Sequence, residues 1–171
     1  MPLTPAELAA NRRERMLHTA LKYQTSTYLS RFVAPAFQRV VRFEASILDN
    51  GYAVCVRNGE IVEEFRRSGE CVCITCGVVH PWTSPGLTGM HTGHFLPSRR
   101  NSIVLEPANV APQCSRCNRY ESGKPVEFRR WMESERPNDI ERLMKLKQEI
   151  RKFGKEELVD LLIGYRARLT G

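Results

Sequence analysis

The chain has 171 residues, with 26 Lys and Arg against 19 Asp and Glu, a net charge of +7 and a pI near 9.3. That length supports one domain with a real core, or a small core with helical arms. No apolar run approaches the ~20 residues of a membrane span, and residues 1–16 lack an apolar signal core, so a cytoplasmic protein without an export signal is expected.

Thr4-Pro5-Ala6-Glu7 has the form of a helix start: Thr4 as N-cap, Pro5 at the first helical position, Glu7 closing a capping box. This helix is expected to reach about Lys22, with Arg12, Arg13 and Arg15 on a solvated basic face. Residues 23–34 are polar and irregular in pattern. From Pro35 onward Phe37, Val40, Val41 and Ile47-Leu48 recur at helical spacing, with a stop at Asn50-Gly51. The period then changes. Residues 52–56 and 61–65 are β-rich runs joined through Asn58-Gly59, a strong hairpin signal. Cys55, within the hairpin, is expected to be a small buried hydrophobe.

Cys73-Ile74-Thr75-Cys76-Gly77 has the shape of a zinc knuckle, in which the glycine lets the backbone turn so that amides face the sulfurs. Cys71 breaks the pair spacing and is expected to be a structural thiol. Residues 78–90, rich in Pro, Gly, Thr and Ser, are expected to form a loop. Residues 95–96 and 103–105 are expected to be two short strands around a basic turn at 97–102, followed by a loop at 106–113. A helix is expected to begin at Cys114 and to end near Ser122-Gly123. Three helical patterns follow: Phe128, Trp131 and Met132; then Leu143, Leu146, Ile150 and Phe153 between an Asn138 cap and a Gly154 stop; then Leu158, Leu161, Leu162, Tyr165 and Leu169. The last stripe suits core packing and a dimer contact equally.

Positive charge gathers in the middle of the chain. Residues 91–130 hold seven Lys and Arg against three Asp and Glu, whereas residues 131–171 hold nine against eight. A basic surface favours a polyanionic partner through phosphate contacts and counterion release. Arg99, Arg100, Arg116, Arg119 and Lys124 are the candidate DNA-phosphate contacts.

Six cysteines are present, at 55, 71, 73, 76, 114 and 117. Cys73/Cys76 and Cys114/Cys117 form two Cys-x-x-Cys pairs, a pattern that favours metal over disulfides in a reducing cytosol. Four thiolates close a tetrahedral Zn²⁺ site with no open position, so such a site staples structure and does not catalyse. A redox role would need one pair, and the duplication argues against it. Between the pairs lies His91-Thr92-Gly93-His94, and Asn118 directly follows the last cysteine. A closed zinc site therefore pins the start of the 114–122 helix near His94. His94 is the candidate general base, because a neutral imidazole takes a proton from water near pH 7. Asn118 offers a carbonyl oxygen, a hard ligand suited to Mg²⁺ or Mn²⁺, and a metal there can bind a scissile phosphate and stabilise the leaving oxygen. His91 is either a second metal ligand or an orienting residue.

The ordered block Cys73-Ile74-Thr75-Cys76-Gly77, His91-Thr92-Gly93-His94-Phe95, Asn109, Gln113-Cys114-Ser115-Arg116-Cys117-Asn118, Ser122-Gly123 and Val126-Glu127-Phe128-Arg129 resembles the NinG (Rap) family. These are lambdoid phage recombination endonucleases, a branch of the His-Asn-His (ββα-metal) nucleases, and the likeness spans roughly residues 73–130. The resemblance implies an α+β fold with a zinc-stapled ββα-metal (HNH, treble-clef-like) core and flanking helices. It implies a divalent-metal endonuclease acting on Holliday junctions and D-loops in a phage-infected cell and leaving 5′-phosphates. By motif position it makes His94 the base, Asn118 the helix-borne metal ligand, and Asn109 the middle Asn that braces the loop between the strands. The block is also similar to the phage recombination endonuclease VII type, with two zinc knuckles and an Asn after the last Cys. There an Asp before the base binds metal; here that position is Gly93.

The expected organisation is a helical and hairpin region (1–70), a zinc-bound nuclease core (71–135) and C-terminal helices (136–171), together one compact unit. Expected partners are branched DNA, recombination proteins and a second copy of the chain, since symmetric resolution of a junction needs two sites. Two further readings are an HNH nuclease or nickase on ordinary duplex, and a non-catalytic zinc DNA-binding module that gains nothing from His94 and Asn118.

Overall fold

Helix α1 (Pro5–Leu21) starts where the local chemistry directs it. Thr4 Oγ1 accepts the Glu7 amide at 3.3 Å, Glu7 Oε2 accepts the Thr4 amide at 2.7 Å, and Pro5 spends no amide at the first turn. The structure, a computed structural model, describes residues 3–46, 51–57, 60–66, 69–83, 86–97 and 101–169, with backbone alone for 51–57, 60–66 and Asn101. It combines helices with small two-stranded antiparallel sheets. Among the described residues no helix is long and apolar enough to cross a membrane. Contacts divide the chain into two units, Met1–Phe37 with Lys152–Gly171, and Gln38–Arg151.

In the first unit α1 packs against α7 (Lys155–Arg168). Arg13, expected on a solvated face, forks onto Asp160 at 2.7 and 3.1 Å; both side chains are exposed, so the pair adds little stability. Within residues 23–34, where irregular chain was expected, the chain is helical from Thr25 onward: α2 (Thr25–Tyr28) runs through a π-helical turn (Leu29–Val33) into α3 (Ala34–Glu44). Burial of Tyr28, Leu29 and Val33 outweighs the weak helix propensity of the Thr-Ser-Thr run. The widened turn lies just ahead of Pro35, whose ring would clash with a carbonyl of a regular α-turn. Gly154 is the N-cap of α7, not the stop of the preceding helix. The terminal stripe is largely spent on the core: Leu158, Leu162 and Tyr165 are buried, and the Tyr165 ring lies 5.4 Å from that of Phe37.

In the second unit α3 ends at Glu44, short of Ile47-Leu48, which lie outside the described residues. Strands β1 (Gly51–Arg57) and β2 (Glu60–Arg66) form the expected hairpin, with Arg57 opposite Glu60. Its turn residues and the Cys55 side chain lie outside the described residues. Residues 78–90 are not all loop: β4 (Val79–Pro81) pairs with β3 (Glu70–Val72), placing Cys71 opposite His80.

The expected strand pair is displaced. Strand β5 is Met90–His94, Ile103-Val104 belong to the short helix α4 (Asn101–Val104), and the partner strand β6 is Val110–Cys114. Pairing runs from Met90 opposite Cys114 to His94 opposite Val110. All five β6 residues are buried, so the strand shows no polar alternation and hides from a period-2 search. A 3₁₀ turn (Pro107–Asn109) leads into it, and a π-helical turn (Arg116–Tyr120) leaves it where a longer helix was expected.

Helices α5 (Pro125–Glu135) and α6 (Pro137–Leu146) close the unit. Its core is Leu96, Ile103, Ala111, Phe128, Met132 and Leu143. The Phe128 ring sits 5.9 Å from Phe95 and 6.0 Å from Trp131. Helix α6 is capped at Arg136, not Asn138, and stops before Ile150, which is 83% exposed. Arg136 ties this pair of helices to the inter-strand loop: Nη1 donates to the carbonyls of Pro107, Ala108 and Val110, while the guanidinium covers Trp131 at 4.9 Å. Phe128→Ala is expected to cost about 3–5 kcal/mol, read as a lower urea midpoint at unchanged slope, whereas Ile150→Ala should stay within about 0.5 kcal/mol of wild type.

Candidate metal centre and adjoining polar site

The two cysteine pairs meet although 37 residues lie between them in sequence. The sulfurs of Cys73, Cys76, Cys114 and Cys117 all lie within 4.8 Å of one another, and this cluster can hold a metal ion such as zinc. Gly77 turns the first knuckle at φ +72°, where its amide bonds the Cys73 carbonyl at 2.9 Å. The Ile74 amide bonds the Pro112 carbonyl at 3.1 Å and fastens this knuckle to β6. In the second pair the Cys117 amide faces the Cys114 sulfur at 3.5 Å. Cys76 Sγ lies 3.7 Å from Cys114 Sγ, and the closeness of Cys73 and Cys76 lowers the pKa of Cys73 and raises that of Cys76. Cys71 stands apart, with its buried thiol donating to the Arg42 carbonyl at 2.9 Å.

Strand β5 carries both histidines beside this cluster. Side chains alternate along a strand, so His91 and Gly93 leave one face of the ribbon and Thr92 and His94 the other. The structure therefore does not set the two imidazoles side by side. Burial holds the pKa of His94 below its usual 6.5, so the ring is neutral at pH 7. Among the described residues neither His94 nor Asn118 makes a side-chain hydrogen bond within the chain, which leaves their lone pairs available. His91 differs: its Nε2 donates to the Gly86 carbonyl at 3.2 Å. Burial lowers its pKa, the Gly86 bond opposes that, and the charges of Arg119 and Arg42 lower it further.

Asn109 is fully buried and all its polar atoms are engaged. Its Oδ1 accepts the Leu96 amide at 2.9 Å, and its Nδ2 donates to the carbonyls of Leu96 at 3.1 Å and Ile103 at 3.4 Å. Its carbonyl also accepts the Phe95 amide at 2.8 Å. The backbone immediately after His94 is thus clamped to the start of β6.

Two residues without an expected role hold the opposite side. Gln113 is fully buried; its Nε2 donates to the Gly123 carbonyl at 2.8 Å and to Thr75 Oγ1 at 3.3 Å. It links the first knuckle to the turn where Ser122, Gly123 and Lys124 all adopt positive φ. A Cβ at Gly93 would lie 2.0 Å from Gln113 Oε1, so that side chain occupies the space a residue other than glycine would need. Arg42 on α3 is the second, donating to the Trp82 carbonyl at 3.0 Å and to Thr92 Oγ1 at 3.2 Å. Gln113 belongs to the ordered motif block but has no role assigned there, and a Gln in an apolar run and an Arg on a packed helix face show their role only through burial.

The basic residues separate into kinds. Arg99 and Arg100 lie outside the described residues. Arg116 and Lys124 pair with Glu121 at 2.6 and 3.1 Å, and Lys124 also approaches Glu127 at 3.6 Å. Arg119 is exposed and has no ion pair among the described residues. No protein-family model, curated protein or solved structure matches the chain.

Metal analysis of the purified protein is expected to give one zinc per chain, lost in Cys114→Ser. Gly93→Ala is expected to destabilise by about 1–3 kcal/mol through overpacking against Gln113. Much of the steric part should return in the Gly93→Ala, Gln113→Ala double variant, read as coupling in a thermodynamic cycle.

Proposed function

We propose that this chain is a metal-dependent DNA endonuclease with a ββα-metal site, stapled by structural Zn²⁺, that hydrolyses phosphodiester bonds at branched recombination intermediates. The observation that carries the reading is the Asn109 clamp. A fully buried asparagine spends every polar atom on fixing the backbone that follows a neutral, unpartnered histidine on β5. Such bracing is what a general base needs if it is to meet a water in one geometry. The cysteine cluster supports the same reading, because it holds the turn bearing Asn118 at the end of β6.

His94, neutral at pH 7, takes the proton of the attacking water. Asn118 Oδ1 is the donor assigned to Mg²⁺ or Mn²⁺, and His91, on the opposite face of β5 from His94, is left as an orienting residue bonded to Gly86. A neutral ligand leaves the ion to complete its shell with water and phosphate oxygens. When bound, that ion supplies Lewis-acid stabilisation of the phosphate and the leaving oxygen. Arg119 neutralises backbone charge beside the cut. The preference for Holliday junctions and D-loops, the 5′-phosphate products, the phage setting and the pairing of two copies on one junction rest on the likeness to the NinG family.

Cleavage of a labelled four-way junction and a matched linear duplex, with Mg²⁺, with Mn²⁺ and with neither, tests this directly. Metal-dependent cutting of the junction is expected, reduced at least ~100-fold in His94→Ala. The base must be deprotonated, so activity should fall on acidification with a midpoint below pH 6.5. Equal cutting of both substrates would replace the junction nuclease with a duplex nickase. DNA binding without cutting, unchanged in His94→Ala and Asn118→Ala, would leave a zinc DNA-binding module.

A further inference from the structure

We infer that Arg42, together with Arg119, forms a seat for a backbone phosphate at the edge of strand β5 beside His91. The starting point is a buried cation without a counter-ion. Arg42 is only 5% exposed. A guanidinium carries five N–H donors; here Nε goes to the Trp82 carbonyl and Nη1 to Thr92 Oγ1, both neutral acceptors. Its Nη2 group has no partner among the described residues, and no Asp or Glu bonds to it. Burying a charge in that way costs stability unless an anion completes it.

The surroundings select for an anion. Thr92 Oγ1 passes its proton on to the Gln38 carbonyl at 3.1 Å, so it holds Arg42 without neutralising it. The Cys71 thiol is spent on Arg42's own carbonyl. Arg39, one turn back on α3, lies 5.8 Å from the Trp82 ring centroid and adds a second cation beside the first. Arg119 and Arg42 both act electrostatically on the His91 ring, one from the helical turn after β6 and one from α3. Arg42 bonds Thr92 on β5, and Arg119 sits on the helical turn that packs against the same strand, so guanidinium groups from two separate elements flank the strand that bears His94. A phosphate oxygen supplies the missing acceptor for Nη2 in the fork geometry that suits guanidinium. The choice of a nucleic-acid phosphate, rather than another anion, rests on the nuclease reading above.

The test uses zinc-loaded protein without added Mg²⁺ or Mn²⁺, so cleavage plays no part. Thermal unfolding is followed with inorganic phosphate against chloride at equal ionic strength, for wild type, Arg42→Gln and Arg119→Ala. Binding of a labelled four-way junction is measured in parallel. Wild type should gain roughly 2–5 °C from phosphate near tenfold saturation, with most of that gain absent in Arg42→Gln and part of it absent in Arg119→Ala. Junction affinity should fall about tenfold in Arg42→Gln. Equal gains in all three proteins would be a general salt effect and would overturn the seat. Should Arg42→Gln fail to fold, Arg119→Ala decides on its exposed side chain: an undiminished gain there overturns the proposal. Phosphate protection dependent on Arg42 with unchanged junction affinity would overturn the nucleic-acid assignment in favour of a free anion. A protein that shows the protection but never cuts DNA keeps the seat and loses the nuclease; one that cuts without protection does the reverse.

Discussion

The second unit depends on the convergence of four sulfurs. Cys73 and Cys76 stand in a turn after β3, Cys114 ends β6, and Cys117 lies in the helical turn beyond. Separate elements of a small core meet at one point, and everything between the pairs must fit the loop that this closure leaves. Strand β5 pairs with β6 because its far end is held at the same place, with Met90 opposite Cys114. A metal ion held there would tie the first knuckle and the turn after β6 together independently of hydrophobic area.

Around that point the polar side chains act as fasteners. Asn109 clamps the chain leaving β5, Gln113 joins the first knuckle to the turn after Cys117, and Arg136 collects three carbonyls of the inter-strand loop. Each is buried or half-buried and each bonds backbone rather than another charged side chain. Buried polar groups of this kind contribute modest net stability but penalise any alternative arrangement, because a shifted loop would strand them unbonded. The result is a braced surround for His94 and Asn118, neither of whose side chains bonds within the chain among the described residues.

Charge follows the same division. Glu121 draws Arg116 and Lys124 into local pairs, while Arg119 and Arg42 remain without carboxylate partners among the described residues. The basic character of residues 91–130 is therefore partly taken up in local ion pairs and partly, at Arg119, left unpaired among the described residues. Net charge alone does not distinguish the two.

Features set by near neighbours in sequence were legible from it. The capping box of α1, the β1–β2 hairpin, the Cys-x-x-Cys-Gly turn and the apolar stripe of α7 each rest on contacts within a few residues, or on a period, and local propensity decides them. The four cysteines were legible as one site because metal chemistry demands a fixed number of ligands. What the tertiary structure alone decided was whatever depends on burial. Strand β6 replaced the expected strand at 103–105 because it is covered on both faces and carries no alternation. Residues 25–33 became helical because packing of Tyr28, Leu29 and Val33 overrode a polar local pattern. The separation of His91 from His94 on opposite faces followed from strand geometry that a motif string does not contain. Gln113 filling the space at Gly93, and Arg42 buried without an acid, emerged only in three dimensions, because an unpaired charge or an absent Cβ has meaning only against the atoms around it.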